Sequence, residues 1–198
     1  MKGKFIVIEG LDGAGISTQS ALLAHHLKDM GQRPFLTKEP TNGMLGGLIK
    51  SALREEWTTS PKAMQLLFCA DRAHHLDNEI TPMISRGKIV ICDRYIFSTM
   101  AYGFASNVNY KWLRQLNLSF RLPDLGIFID VNPSTTMVRT SDEGAGLQLF
   151  DEKQKLMKVR QAYLHIAKEF HLKVVNGNKP IDEVSAQINK IVEKYLKK

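Results

Sequence analysis

Five short apolar runs punctuate the chain: Phe5 to Ile8, Pro34 to Thr37, Ile89 to Cys92, Ile127 to Ile129 and Leu172 to Val175. Sequence with apolar residues at three- and four-residue spacing follows each of them, which is the helical period. Strands that are apolar at consecutive positions are buried on both faces, so the pattern predicts an α/β fold: a five-stranded parallel sheet with helices on both faces. Leu22, Leu23, Leu27 and Met30 mark the inner face of the first helix, which Gly31 ends. Met44 to Leu53 reads as a short helix, and Ser60-Pro61 caps and opens another that runs to about His75. One later helix carries Ser98, Thr99 and Tyr102, and Asn109 caps the next, with Trp112, Leu113, Leu116 and Phe120 inward. Asn132-Pro133 starts a helix ending near Arg139, Phe150 begins another, and Pro180 opens the last. Between them, Thr140 to Leu149 holds Gly144 and Gly146 with little periodicity, and is expected to be a mobile lid at about 140–150. There are no repeats or linkers, so residues 1–198 are expected to form a single domain.

Charge narrows the picture less than its size suggests. The net charge is +7 and the pI about 9.4, and much of the excess sits in the C-terminal third on helical sequence without interleaved stacking aromatics. That pattern is a solvated face, not a nucleic-acid groove. Cys69 and Cys92 lie inside apolar runs without C-x-x-C spacing and read as small buried hydrophobes in a reducing compartment. No apolar run approaches membrane-spanning length, and the chain opens on a strand, so a cytoplasmic protein is expected.

The chemistry concentrates after the first strand. Glu9 is followed by Gly10, Leu11, Asp12, Gly13, Ala14, Gly15, Ile16, Ser17 and Thr18, and then by helical sequence. Strand, glycine-rich turn and helix together make a nest of inward N–H groups at a positive helix end, a polyphosphate site. The full pattern G-x-x-x-x-G-K-[ST] requires lysine where this chain has Ile16. Lys4 and Lys28 are the nearest cations in sequence, so a replacement charge has to come from elsewhere in the fold.

Phosphoryl transfer needs anchored phosphates, a magnesium ion and cations that hold donor and acceptor oxygens in line. Ser17 offers a hydroxyl to the metal, and Asp93, ending an apolar strand, offers a carboxylate to its water shell. Arg94 either bridges two phosphates or pairs with Asp93 as a structural ion pair. Phe68 and Arg72, four apart, share a helix face that suits either a stacked base or ordinary core packing. Ligands of open parallel sheets bind beyond the strand carboxyl ends, where Gly10 to Thr18, Glu39, Asp93-Arg94 and Asp130 fall.

Taken together, Gly10 to Gly15, Lys38-Glu39-Pro40, Leu66 to Arg72, Asp93-Arg94-Tyr95, Ser98-Thr99 with Ala101-Tyr102, and Pro123-Asp124 to Asp130-Val131 resemble the thymidylate kinase family along nearly the whole chain. The resemblance implies a P-loop kinase fold, a homodimer, and transfer of the γ-phosphate of ATP to dTMP with Mg²⁺. It also implies that Asp12 meets the deoxyribose hydroxyl or the metal shell, Phe68 stacks on thymine, Arg72 contacts the base and Arg94 bridges phosphates. Glu39 and Tyr102 would shape the sugar end, and Thr99 would lie near the base edge. Three departures stand out: Ile16, Gly103 where glutamine commonly follows Ala-Tyr, and a 140–149 segment with Asp142 and Glu143 but no Lys or Arg. Arg139 and Arg160 remain as candidate catalytic cations. A binding-only relative and a kinase for another nucleoside monophosphate are the alternative readings.

Overall fold

Each apolar run forms a strand of one parallel sheet, in the order β2-β3-β1-β4-β5: β1 Lys4–Gly10, β2 Pro34–Lys38, β3 Ile89–Asp93, β4 Leu125–Asp130 and β5 Lys173–Asn176. The computed structural model describes residues 3–140 and 146–197, the side chains of 138–152 excepted. The helices are α1 Ile16–Asp29, α2 Met44–Leu53, α3 Pro61–His75, α4 Thr81–Ser85, α5 Ile96–Ala105, α6 Tyr110–Asn117, α7 Pro133–Thr140, α8 Gly146–Glu169 and α9 Ile181–Leu196. Among the described residues, no helix is long and apolar enough to cross a membrane.

Residues alternate between the two faces of β1. Phe5 meets Tyr95 edge to face at 5.0 Å, and Glu9 meets Ser98 of α5 and Tyr163 of α8 on the same side. On the other side Lys4 lies over the Tyr195 ring of α9, which packs with α1. Phe128, beside Glu9 in the register, stacks on Tyr163 with ring centroids 4.9 Å apart. Burying such a ring contributes roughly 1.5–3 kcal/mol. Cys69 and Cys92 are free and buried, as expected of small apolar side chains.

Ligand-bearing ends line up because the register is parallel throughout. Ile8 and Lys38 both sit beside Asp93, Gly10 beside Ile129, and Asp130 beside Asn176. Strand order reverses at β1, whose neighbours β3 and β4 lead to opposite sheet edges. A crevice at such a reversal is where open parallel sheets hold ligands.

Three expectations are corrected. The helix from Pro61 does not stop near His75: a π-helical turn, Leu76–Ile80, carries it into α4. Leu76, Ile80 and Ile84 continue the buried face, and the wider π turn keeps that face directed inward. Met30 is exposed rather than inward, and α1 buries Ile16, Gln19, Ser20, Leu23 and Leu27 instead. The α8 helix begins at Gly146, ahead of the expected Phe150. Residues 141–145 of the expected lid lie outside the described residues.

Helix α2 enters the sheet end by a close approach at Gly46. A Cβ there would stand 2.1 Å from the Thr41 carbonyl oxygen, whereas one at Gly47 would meet nothing within 4 Å. Gly46→Ala is therefore expected to cost about 1–3 kcal/mol in urea unfolding, as overpacking does. Gly47→Ala in the same helix should gain about 0.5–1 kcal/mol from helix propensity. Equal effects of the two substitutions would show that α2 is not tightly docked on the Thr41 loop.

Candidate active site

The phosphate loop follows β1 without slack. Gly13 and Gly15 have φ of 76° and 83°, the left-handed region in which glycine is unstrained. A Cβ on Gly10 would meet the Ile129 carbonyl at 3.0 Å and the Ala14 Cβ at 3.1 Å, so the turn closes tightly on β4. Leu11 is fully buried and anchors the loop from below. Gly15 caps α1 without a side chain, and no acidic residue lies in the first turn. That helix end is open to an outside anion. Ile16 is 4% exposed and belongs to the hydrophobic core, with its Cγ1 in the space a Gly10 Cβ would need.

At the end of β3, Ser17 Oγ donates to Asp93 Oδ2 at 2.5 Å. The hydroxyl and the carboxylate that the sequence offers as metal ligands are thus brought into direct contact. Arg94 follows with φ of 68° and does not pair with Asp93. Its Nη2 donates to Asp12 Oδ1 at 2.7 Å, and its Nη1 to the Gly10 carbonyl at 2.8 Å and Ser98 Oγ at 3.2 Å. Tyr102 completes this group: its hydroxyl donates to Asp12 Oδ2 at 2.8 Å and accepts from the Asp12 N–H at 3.1 Å. The fold therefore brings a cation to the mouth of the nest by a route the sequence does not display.

Glu39, Arg72 and Thr99 form a second, buried group. Arg72 is wholly inaccessible, with Nε donating to Glu39 Oε2 at 3.0 Å, Nη2 lying 2.8 Å from the same oxygen and donating to Thr99 Oγ1 at 2.7 Å, and Nη1 donating to Asn117 Oδ1 at 2.7 Å. Its guanidinium lies between the rings of Tyr95 and Phe120, at 4.9 and 5.5 Å. His75 Nδ1 lies 3.1 Å from Glu39 Oε1. Asp71, one position before Arg72, accepts from the Thr41 N–H at 2.8 Å and the Thr41 hydroxyl at 2.6 Å, which holds the loop after β2. Phe68, on the same helix, is half-buried and is not part of the packed core.

Of the two candidate cations near the lid, Arg160 is committed to Asp130 by a forked contact of 2.6 and 2.9 Å. The Arg139 side chain lies outside the described residues. Sequence reasoning missed Glu9, which ends the central strand fully buried and takes four hydrogen bonds: from the Tyr95 and Ser98 N–H groups and from the Ser98 and Tyr163 hydroxyls. Burial pushes its carboxyl up to about 7, against the opposing pull of the Ser98 hydrogen bond, the Arg94 charge and Tyr163. A carboxylate ending an otherwise apolar strand was the available signal. Asn117 and Tyr163 carried none, because their partners lie 45 and 154 residues away.

Comparison with known proteins agrees with this geometry. The sequence model of the thymidylate kinase family matches residues 8–188. A probable thymidylate kinase of Pyrococcus horikoshii is 40% identical over 203 aligned positions, covering 99% of this chain and 98% of the relative. Probable thymidylate kinases of Thermococcus onnurineus and Archaeoglobus fulgidus are 39% and 35% identical, covering 98% and 96% of this chain and 99% and 95% of the relatives. With a family match over nearly its whole length and relatives at this level of identity, the chain belongs to the thymidylate kinase family.

Proposed function

We propose that the chain transfers the γ-phosphoryl group of ATP to dTMP, forming dTDP and ADP, with Mg²⁺ as the metal. The observation that carries this reading is the meeting of three groups at one sheet end: the open glycine nest, the Ser17–Asp93 pair and the Arg94 guanidinium. Gly10 to Thr18 cradle the ATP phosphates through backbone N–H groups, which need no side-chain charge. Ser17 and Asp93 would hold Mg²⁺, a hard cation suited to such an oxygen pair. When bound, the metal would supply neutralisation of phosphate charge.

Arg94 meets the phosphates of donor and acceptor as a forked donor, with Asp12 and Tyr102 beside it at the sugar end. Phe68 offers its ring to thymine, and its place outside the packed core supports that role over a structural one. Glu39, Arg72 and Thr99 act as one unit that shapes the base end of the site, since their polar atoms are bonded to one another. Arg139 is the cation proposed to enter from the lid side. The enzyme works in the cytoplasm as a homodimer. Met44, Leu48 and Leu53 on α2, with Leu66 on the adjoining α3, present large apolar side chains to solvent and support self-association.

Coupled measurement of ADP release with dTMP, dUMP, dCMP and dGMP tests the reading directly. Fastest turnover with dTMP is expected. Equal rates with every acceptor would make the chain a broader monophosphate kinase, and no turnover despite ATP uptake by calorimetry would favour the binding-only alternative.

Ile16→Lys places an ammonium group beside the phosphates, because a lysine stem can run out of the core where isoleucine stops. Turnover with dTMP should rise on the order of 10-fold or more, the scale of one added transition-state donor, while ATP affinity changes by only a few-fold. An unchanged rate would mean that another cation already fills the role.

For the dimer, sedimentation velocity should show two chains per particle for the wild type and a monomer for Leu48→Glu combined with Leu66→Glu. A wild-type monomer at micromolar concentration would refute self-association.

A further inference from the structure

Glu9 holds the last position of β1 that faces α5 and α8, and a carboxylate there has exchanged all its water for protein donors. Oε1 accepts from the Tyr95 N–H at 2.9 Å and the Ser98 N–H at 3.2 Å. Oε2 accepts from the Ser98 hydroxyl at 2.5 Å and the Tyr163 hydroxyl at 3.0 Å. Two of these bonds bear directly on Arg94. Its φ of 68° is costly for any residue with a Cβ and persists only where the surroundings enforce it. Strand β1 enforces it from both sides: the Arg94 N–H donates to the Ile8 carbonyl at 3.0 Å, and the next N–H, that of Tyr95, donates to Glu9.

Ser98 supplies the second link. Its oxygen accepts from Arg94 Nη1 at 3.2 Å while its proton goes to Glu9. An ionised Glu9 takes the Ser98 proton and leaves the Ser98 oxygen as an acceptor for the guanidinium and for the Tyr163 hydroxyl, which lies 2.7 Å away. A protonated Glu9 has to donate to one of those oxygens, and the displaced hydroxyl proton then competes with Arg94.

We propose that Glu9 is a positioning residue for phosphoryl transfer, fixing the backbone and the guanidinium of Arg94 through the Tyr95 N–H and Ser98. The inference rests on the reading above in which Arg94 meets the nucleotide phosphates. The groups facing Glu9 are Ser98 from α5, Tyr163 from α8, and Arg94 and Tyr95 from the turn after β3. Tyr163, whose hydroxyl burial and the nearby Glu9 push well up, remains a donor throughout the working range.

The fold does not need this carboxylate to be ionised. With its pKa raised from 4.5 to about 7, the native state keeps a proton that the unfolded chain has already released. Stability therefore falls as pH rises through that window, and the ionised form above it works against folding. A residue that costs stability in the state its neighbours are arranged to serve is accounted for by the site, not by the core.

Glu9→Gln keeps the volume and an acceptor for the two N–H groups but reverses the polarity toward Ser98 and Tyr163. At pH 8, kcat with dTMP is expected to drop on the order of 10-fold or more with the KM for ATP within about threefold. The thermal midpoint at pH 8 should be no lower than that of the wild type. The wild-type rise of kcat through pH about 7 should be absent from the variant, and Ser98→Ala should show a partial loss. Arg94→Ala sets the floor, and the Glu9→Gln/Arg94→Ala double variant should be no slower than Arg94→Ala alone. Wild-type turnover in Glu9→Gln, or losses that multiply in the double variant, would overturn the inference while leaving the proposed function intact. Wild-type turnover in Arg94→Ala would instead remove the phosphate role of Arg94, and the inference would fall with it.

Discussion

Everything at the sheet end is measured from the carboxyl terminus of β1. That strand is hydrogen-bonded on both sides, to β3 and to β4, so its end cannot shift without breaking two ladders. A slip of one residue would also exchange its two faces, turning Glu9 away from Ser98 and Tyr163. The turns after β1 and β3 are consequently locked side by side. Ser17 reaches Asp93 at 2.5 Å, and Arg94 reaches back to Gly10 at 2.8 Å and Asp12 at 2.7 Å. The nest, the carboxylate and the guanidinium share one origin at the end of β1.

The Glu39–Arg72 pair imposes a similar order at the other end of the crevice by a more costly means. Both side chains are buried, and taking two charges out of water costs several kcal/mol per ion unless further hydrogen bonds compensate. Here Thr99, Asn117 and His75 supply that compensation. An apolar replacement of similar volume would serve the core as well, so the pair is better understood as a geometric device. It ties the loop after β2 to α3, α5 and α6, and Asp71 adds a second tie through Thr41.

Much of this arrangement was legible in the sequence because its causes are local. Consecutive apolar residues mark strands buried on both faces, and glycines 13 and 15 occupy positions of positive φ in the phosphate loop. Asp93 and Arg94 stand where an apolar run ends, which places them at the ligand edge. What stayed hidden depends on contacts between distant segments. Arg94 has Asp93 beside it in sequence yet pairs with Asp12, because the left-handed turn swings its side chain across to β1. The sequence places Arg72 only on one helix face with Phe68, and does not show that Glu39, Thr99 and Asn117 arrive from three other segments and enclose it. The π-helical turn after His75 follows from the need to keep Leu76, Ile80 and Ile84 inward, and a pattern read at 3.6 residues per turn does not register it.

The isoleucine in the phosphate loop changes what the loop can do and leaves what it is. Ile16 lies in the core, and the N–H groups of the α1 terminus point to the crevice whatever side chain that position bears. In the proposed reaction, grip on a polyphosphate and stabilisation of a transferring phosphoryl group would thus come apart, the first resting on peptide dipoles and the second on a side-chain charge. Arg94 stands beside the nest, bonded to the Gly10 carbonyl and paired with Asp12, whose side chain is 65% exposed. Arg94 itself is only 19% exposed, so the pair is open to water on the Asp12 side alone. Tyr102 bonds to both the carboxylate and the backbone of Asp12 and fixes that partner in place. The pair and the Gly10 carbonyl therefore hold the guanidinium in one orientation at the mouth of the nest.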